Sequence, residues 1–188
     1  MLVLYRFASR WPLWLLHGLG AALGWLTWAA SPTYRRRIRD NAAQAGYRPD
    51  QVRACVAHAG RMALEMPRLW FGRPVPLQWH QHQDLLDAAY AGGRGIVFMT
   101  PHMGCFEIMA QVVGAHYAER FGPMTVLYRP ARQPLLREVV EQARNREGVE
   151  AAPTTLAGVR QMIRALRGGR AVALLPDQVP PEGQGVWS

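Results

Sequence analysis

The chain has 188 residues, 49% of them hydrophobic, which is enough for a domain with a substantial core and excludes disorder as a description of the whole. Its net charge of +9 rests on 22 basic residues, all arginine, and is unevenly placed: residues 1–80 hold 11 Arg against Asp40, Asp50 and Glu65, while the remainder holds 11 Arg against 10 acids. The basic character therefore belongs to the N-terminal part, and Cys55 and Cys105 form no disulfide framework and suit a reducing compartment.

The first element expected is an apolar helix. Residues 11–30 carry no formal charge and include Trp11, Trp14, Trp25 and Trp28. About 20 apolar residues cross the hydrocarbon core, and tryptophans near both ends suit the interfacial belts. Arg6 and Arg10 precede the segment, and Arg35, Arg36, Arg37 and Arg39 follow it, which favours a cytoplasmic C-terminal side. This neighbour turns the basic asymmetry toward an anionic membrane rather than a nucleic acid. Pro12, His17, Gly18, Gly20 and Gly24 dilute the hydrophobicity, so a helix lying in the interface competes with a spanning one. A cleaved signal peptide with small residues at Ala29-Ala30-Ser31 is opposed by the arginines just after it. The Gly20-x3-Gly24 spacing reads as incidental in so glycine-rich a segment.

Pro32 then opens a basic helix over residues 34–45, ended by Gly46, and a further helix runs from a cap at Asp50 to about Leu69. Arg73-Pro74-Val75-Pro76 reads as a linker. Beyond it the pattern alternates, with helix at 83–91, strand at 95–99, helix at 106–120 and strand at 124–128. Helix at 134–146, a short strand at 149–151, helix at 154–166 and strand at 171–175 complete it. Such alternation implies an α/β domain with a mainly parallel sheet flanked by helices. The expected organisation is a membrane anchor helix at 1–31, a basic membrane-proximal segment at 32–73, and the α/β domain at 74–188. Residues 176–188 end without a closing element, so the chain reads as cut short within that domain.

In open sheets, sites gather at the carboxyl ends of the strands, and His102, Arg129 and Asp177 each fall just past one. An imidazole becomes a directed proton acceptor when a carboxylate fixes its tautomer. His102 and Glu107 offer that pair on either side of a strand-to-helix turn through Thr100-Pro101 and Gly104. The N–H groups of such a turn suit a developing oxyanion. Arg129 has the planar donor fork for a phosphate or a carbonyl oxygen, and Asp177-Gln178 forms a third polar block. Cys105 beside His102 raises a thiolate alternative, although a cysteine is ordinarily a small buried residue. His80 and His82 would share a face if extended, but with no third ligand evident no metal is expected. Neither a phosphate-cradling glycine loop nor a nucleophile elbow is present.

Taken in order, these segments resemble the late acyltransferases of lipid A biosynthesis, the lauroyl/myristoyl transferase family. The resemblance rests on the apolar N-terminal helix, RRRIRDN at 35–41, GIVFMTPHMGCFE at 95–107, YRP at 128–130 and LPDQVPPEGQGVW at 175–187. Family members commonly carry Asn where this chain has Cys105. The resemblance implies a glycerolipid-acyltransferase-like fold at the bacterial inner membrane, with the catalytic domain on the cytoplasmic side. It implies transfer of a fatty acyl chain from acyl carrier protein to a hydroxyl of a lipid A precursor, without a metal or other cofactor. His102 would deprotonate the hydroxyl and Glu107 would orient it, while Arg129, Asp177 and Gln178 would bind substrate. The nearest rivals are acylation of another glycolipid or glycerolipid, and a membrane-anchored binding protein without turnover.

Overall fold

The computed structural model describes residues 1–73, 78–79, 81–131, 133–144 and 146–177. The chain forms two compact units, residues 2–74 and 75–188. Most of the expected linker, Pro74 to Pro76, lies outside the described residues, as do His80 and Gln178.

The first unit is helical: α1 (Leu2–Ala8), α2 (Leu13–Ala30), α3 (Pro32–Gln44) and α4 (Ala54–Phe71). Helix α1 has no counterpart in the sequence reading; Pro12, extended at ψ 142°, separates it from α2. Ser31 joins α2 to α3, accepting a hydrogen bond from the Tyr34 N–H, with Pro32 in the first turn. Arg35 donates from Nη1 to the carbonyls of Trp28 (2.8 Å) and Ala29 (2.5 Å), satisfying acceptors at the C-terminus of α2. Helix α4 starts four residues after the expected cap. Asp50 instead takes two hydrogen bonds from the Arg48 guanidinium, at 3.1 and 2.8 Å, and the chain stays in turns up to residue 53.

Helices α2 and α4 pack backbone to backbone. A Cβ on Gly20 would lie 2.6 Å from the Gly60 carbonyl oxygen, and one on Gly24 would lie 2.3 Å from that of Val56. The Gly20-x3-Gly24 spacing is therefore used, against the expectation that it was incidental. Only glycine permits so close an approach.

The second unit runs α5 (Gln83–Ala91), β1 (Ile96–Met99), α6 (Phe106–Phe121), β2 (Met124–Tyr128), α7 (Pro134–Arg144), β3 (Val149–Pro153), α8 (Leu156–Arg167) and β4 (Ala171–Leu174). Among the described residues, the four strands form a parallel sheet in the order β1-β4-β2-β3. The last strand is thus inserted between the first two, and this insertion sets the site. Helices cover both faces, as parallel sheets require. On one face, Val126, Val149, Ala171 and Ala173 pack with Tyr90 of α5 and with Val113 and Tyr117 of α6. On the other, Ala152 and Val172 pack with Met162 and Ala165 of α8. Tyr90 and Tyr117 stack at 4.2 Å, and Tyr117 donates to Asp87 at 2.8 Å. Burial pushes both phenols up to about 12, so they remain neutral core groups.

Candidate active site

Parallel register brings the site together. Met99 at the end of β1 is paired with Leu174 at the end of β4. His102 stands three residues beyond the first and Asp177 three beyond the second, so two residues 75 positions apart leave the sheet side by side. The ladder continues past the strands, with the Thr100 N–H donating to the Leu174 carbonyl at 3.3 Å. The chain then turns sharply. The Met103 N–H donates to the Pro101 carbonyl at 2.8 Å, and Gly104 takes φ +57°, a left-handed conformation that suits glycine, before α6 begins.

At this turn one carboxylate holds His102 twice. The His102 backbone N–H donates to Asp177 Oδ2 at 2.8 Å, and Nδ1 lies 2.7 Å from Asp177 Oδ1. The two hydrogen bonds, from the backbone first and the ring second, hold the Asp177 carboxyl below its ordinary value of 3.8. An ionised carboxylate only accepts, so Nδ1 carries the proton and the basic lone pair falls on Nε2. Phe106 packs edge-on against the imidazole at 4.8 Å and steadies the ring. Both partners remain about one-third exposed, His102 at 33% and Asp177 at 37%, so the pair is within reach of a substrate. The arrangement can take a proton from a hydroxyl on the Nε2 side while Asp177 stabilises the imidazolium that forms.

The other expected residues are placed differently. At Nδ1 the carboxylate is that of Asp177, a residue expected from the sequence as a substrate contact. Glu107 lies in the first turn of α6 and is only 6% exposed. It lines a concavity with Gln111 and Arg146. The Arg146 guanidinium donates to Gln111 Oε1, and burial lowers its pKa. The His102 N–H at the head of the turn is engaged by Asp177. Arg129 is exposed one residue past β2, the strand on the other side of β4, and so shares the carboxyl edge of the sheet with the pair. Cys105 is exposed at the N-cap of α6, not buried. Among the described residues, no group of three histidine, cysteine or carboxylate side chains is placed to hold a metal.

Fold and site together define a class: an α/β protein with a hydrogen-bonded histidine–carboxylate pair at the carboxyl ends of adjacent parallel strands. Within that class the chain belongs to the bacterial lipid A biosynthesis acyltransferase family, whose profile matches residues 4–187. It is accordingly an acyltransferase of lipid A biosynthesis, a reaction that joins an acyl donor to a lipid A acceptor. No curated protein matches the chain.

Proposed function

We propose that the protein transfers a fatty acyl chain from acyl carrier protein to a hydroxyl of a lipid A precursor, at the cytoplasmic face of the bacterial inner membrane. The observation that carries this reading is the double hold of Asp177 on His102, at 2.8 Å to the backbone and 2.7 Å to the ring. His102 Nε2 takes the hydroxyl proton as the oxygen attacks the thioester carbonyl. The new C–O bond gives a tetrahedral oxyanion; on its collapse the C–S bond breaks, and the imidazolium returns the proton to the departing thiolate. Asp177 is the orienting partner. Glu107, buried in the first turn of the helix after His102, is a second partner of that histidine in the reaction. The Arg129 guanidinium binds the oxyanion or an acceptor phosphate, and Gln178, next to Asp177 in the sequence, is a further substrate-binding residue of this reading. Exposed Met99 (66%) and Met103 (74%) offer apolar surface for the acyl chain at the site. The chemistry as written needs neither metal nor acyl-enzyme.

Mass spectrometry of a lipid A precursor incubated with acyl carrier protein thioester and membranes containing the full chain tests donor and acceptor together. The expected product has gained one acyl mass. Acylation of a glycerolipid in the same membranes, with the lipid A precursor unchanged, would overturn the acceptor. Equal transfer from a carrier-free thioester would overturn the donor.

A further inference from the structure

Helix α2 is long and apolar enough to cross a membrane by length and composition, with a mean hydropathy of 1.2 over 18 residues. Its partner is not. The two helices run antiparallel: His17 Nε2 meets Glu65 Oε2 at 3.0 Å, Gly20 abuts Gly60 and Arg61, Gly24 abuts Val56, and the Arg53 guanidinium lies 5.5 Å from the centre of the Trp25 ring. Helix α4 thus accompanies α2 along nearly its whole length, and it carries Arg53 at its cap, then His58, Arg61, Glu65 and Arg68. A spanning α2 would draw α4 into the hydrocarbon beside it, with Arg61 next to the middle of the apolar stretch.

The opposite face of α2 has no such company. Leu19 and Leu26 (65% exposed) stand on it with Gly18 and Ala22, Trp14 (74%) and Leu23 are exposed on its two flanks, and none is charged. In α1, Tyr5 stacks on Trp70 and meets Phe71 edge-on, while Val3, Leu4 and Phe7 are exposed. Arg36, Arg37 and Arg39 of α3 are exposed, and this unit holds 11 Arg against three acids. An apolar, tryptophan-bearing face in a strongly cationic unit complements an anionic lipid surface.

We propose that the α2–α4 hairpin lies in the plane of one leaflet of an anionic bilayer. The outer face of α2 is seated at the boundary between headgroups and acyl chains, and α4 is held on the water side. The protein is then monotopic, and α2 does not cross. This rests on the membrane-bound reading above, and its test measures depth rather than catalysis.

The test uses the full chain with Cys55→Ser and Cys105→Ser, reconstituted in vesicles of phosphatidylcholine and phosphatidylglycerol. Spin labels are placed singly at Trp14→Cys, Leu19→Cys, Leu23→Cys and Leu26→Cys, all exposed positions, and at His58→Cys on α4. Circular dichroism confirms that each variant folds. Depth is read from the competition between oxygen and a water-soluble nickel reagent. The labels at 19 and 26 are expected deepest and those at 14 and 23, on the two flanks of the face, shallower, so depth follows the helix face and not the sequence order, with the label at position 58 in water. A crossing helix would instead spread positions 14 to 26 over about 18 Å of depth, at 1.5 Å per residue. That gradient would overturn the in-plane placement and leave membrane binding intact. Labels on α2 shielded from both reagents, with the protein self-associated and not on vesicles, would overturn both. Replacing Arg36, Arg37 and Arg39 with Gln is expected to weaken vesicle binding about a hundredfold, at about a factor of five per surface charge. Unchanged binding would remove the anionic surface from the proposal.

Discussion

Asp177 meets His102 through two oxygens, so the residue that sets the imidazole tautomer also fixes the backbone from which it projects. Replacing it with Asn keeps the shape but offers an amide that can turn its N–H₂ toward Nδ1 and select the wrong tautomer. Asp177→Asn is expected to lower the acyl-transfer rate by about 10²-fold, within the range general-base catalysis supplies, with little change in the donor KM. Asp177→Glu should recover part of that loss, which a purely structural role would not predict. The same contact has a pH signature. The folded carboxyl lies below its ordinary 3.8, so its contribution to stability is full above about pH 4 and is lost as pH falls through the lowered value. The difference in unfolding midpoint between wild type and Asp177→Asn should shrink as pH falls below about 4. A difference that persists unchanged through that range would refute the assignment. The sequence offers His102 and Glu107 as a local pair, whereas the Asp177 contact, 75 positions away, has no local spacing to reveal it and follows from the β1–β4 register.

At the scale of elements, alternation and turn residues made most of the second unit legible. Met124–Tyr128 and Gln83–Ala91 have the expected bounds, and the remaining strands and helices differ by a residue or two at their ends. Thr155 caps α8 by accepting from the Gly158 N–H, one residue after the expected start. The first unit was read less well, because a glycine spacing has no meaning until its partner helix is known. Gly20, Gly24 and Gly60 acquire their role only through contact, whereas Gly18 faces open space. Two substitutions separate these cases. Gly60→Leu should destabilise the unit by about 2–3 kcal/mol through overpacking against the α2 backbone. Gly18→Ala should stabilise α2 by about 0.8–1.0 kcal/mol through helix propensity. Thermal unfolding followed by helical signal checks both, and equal effects would deny the close α2–α4 contact. The same contact bears on the membrane: an arginine at the centre of a spanning helix costs about 2.5–3.5 kcal/mol, which α4 would incur at Arg61.

At the scale of the whole molecule, composition and charge had already divided the chain into a basic helical part and a nearly neutral α/β part, and the family match spans both. Composition and periodicity say nothing of strand order. The motifs at 102 and 177 look unrelated until β4 is inserted between β1 and β2, and that insertion depends on packing across the sheet rather than on any local pattern. We propose that this insertion builds a base at His102. Single-turnover transfer from acyl carrier protein thioester to a lipid A precursor is compared for the full chain and His102→Ala, with both shown to fold alike. A loss of roughly 10²–10⁴-fold in the rate of the variant is expected. Transfer by His102→Ala at the wild-type rate would contradict it.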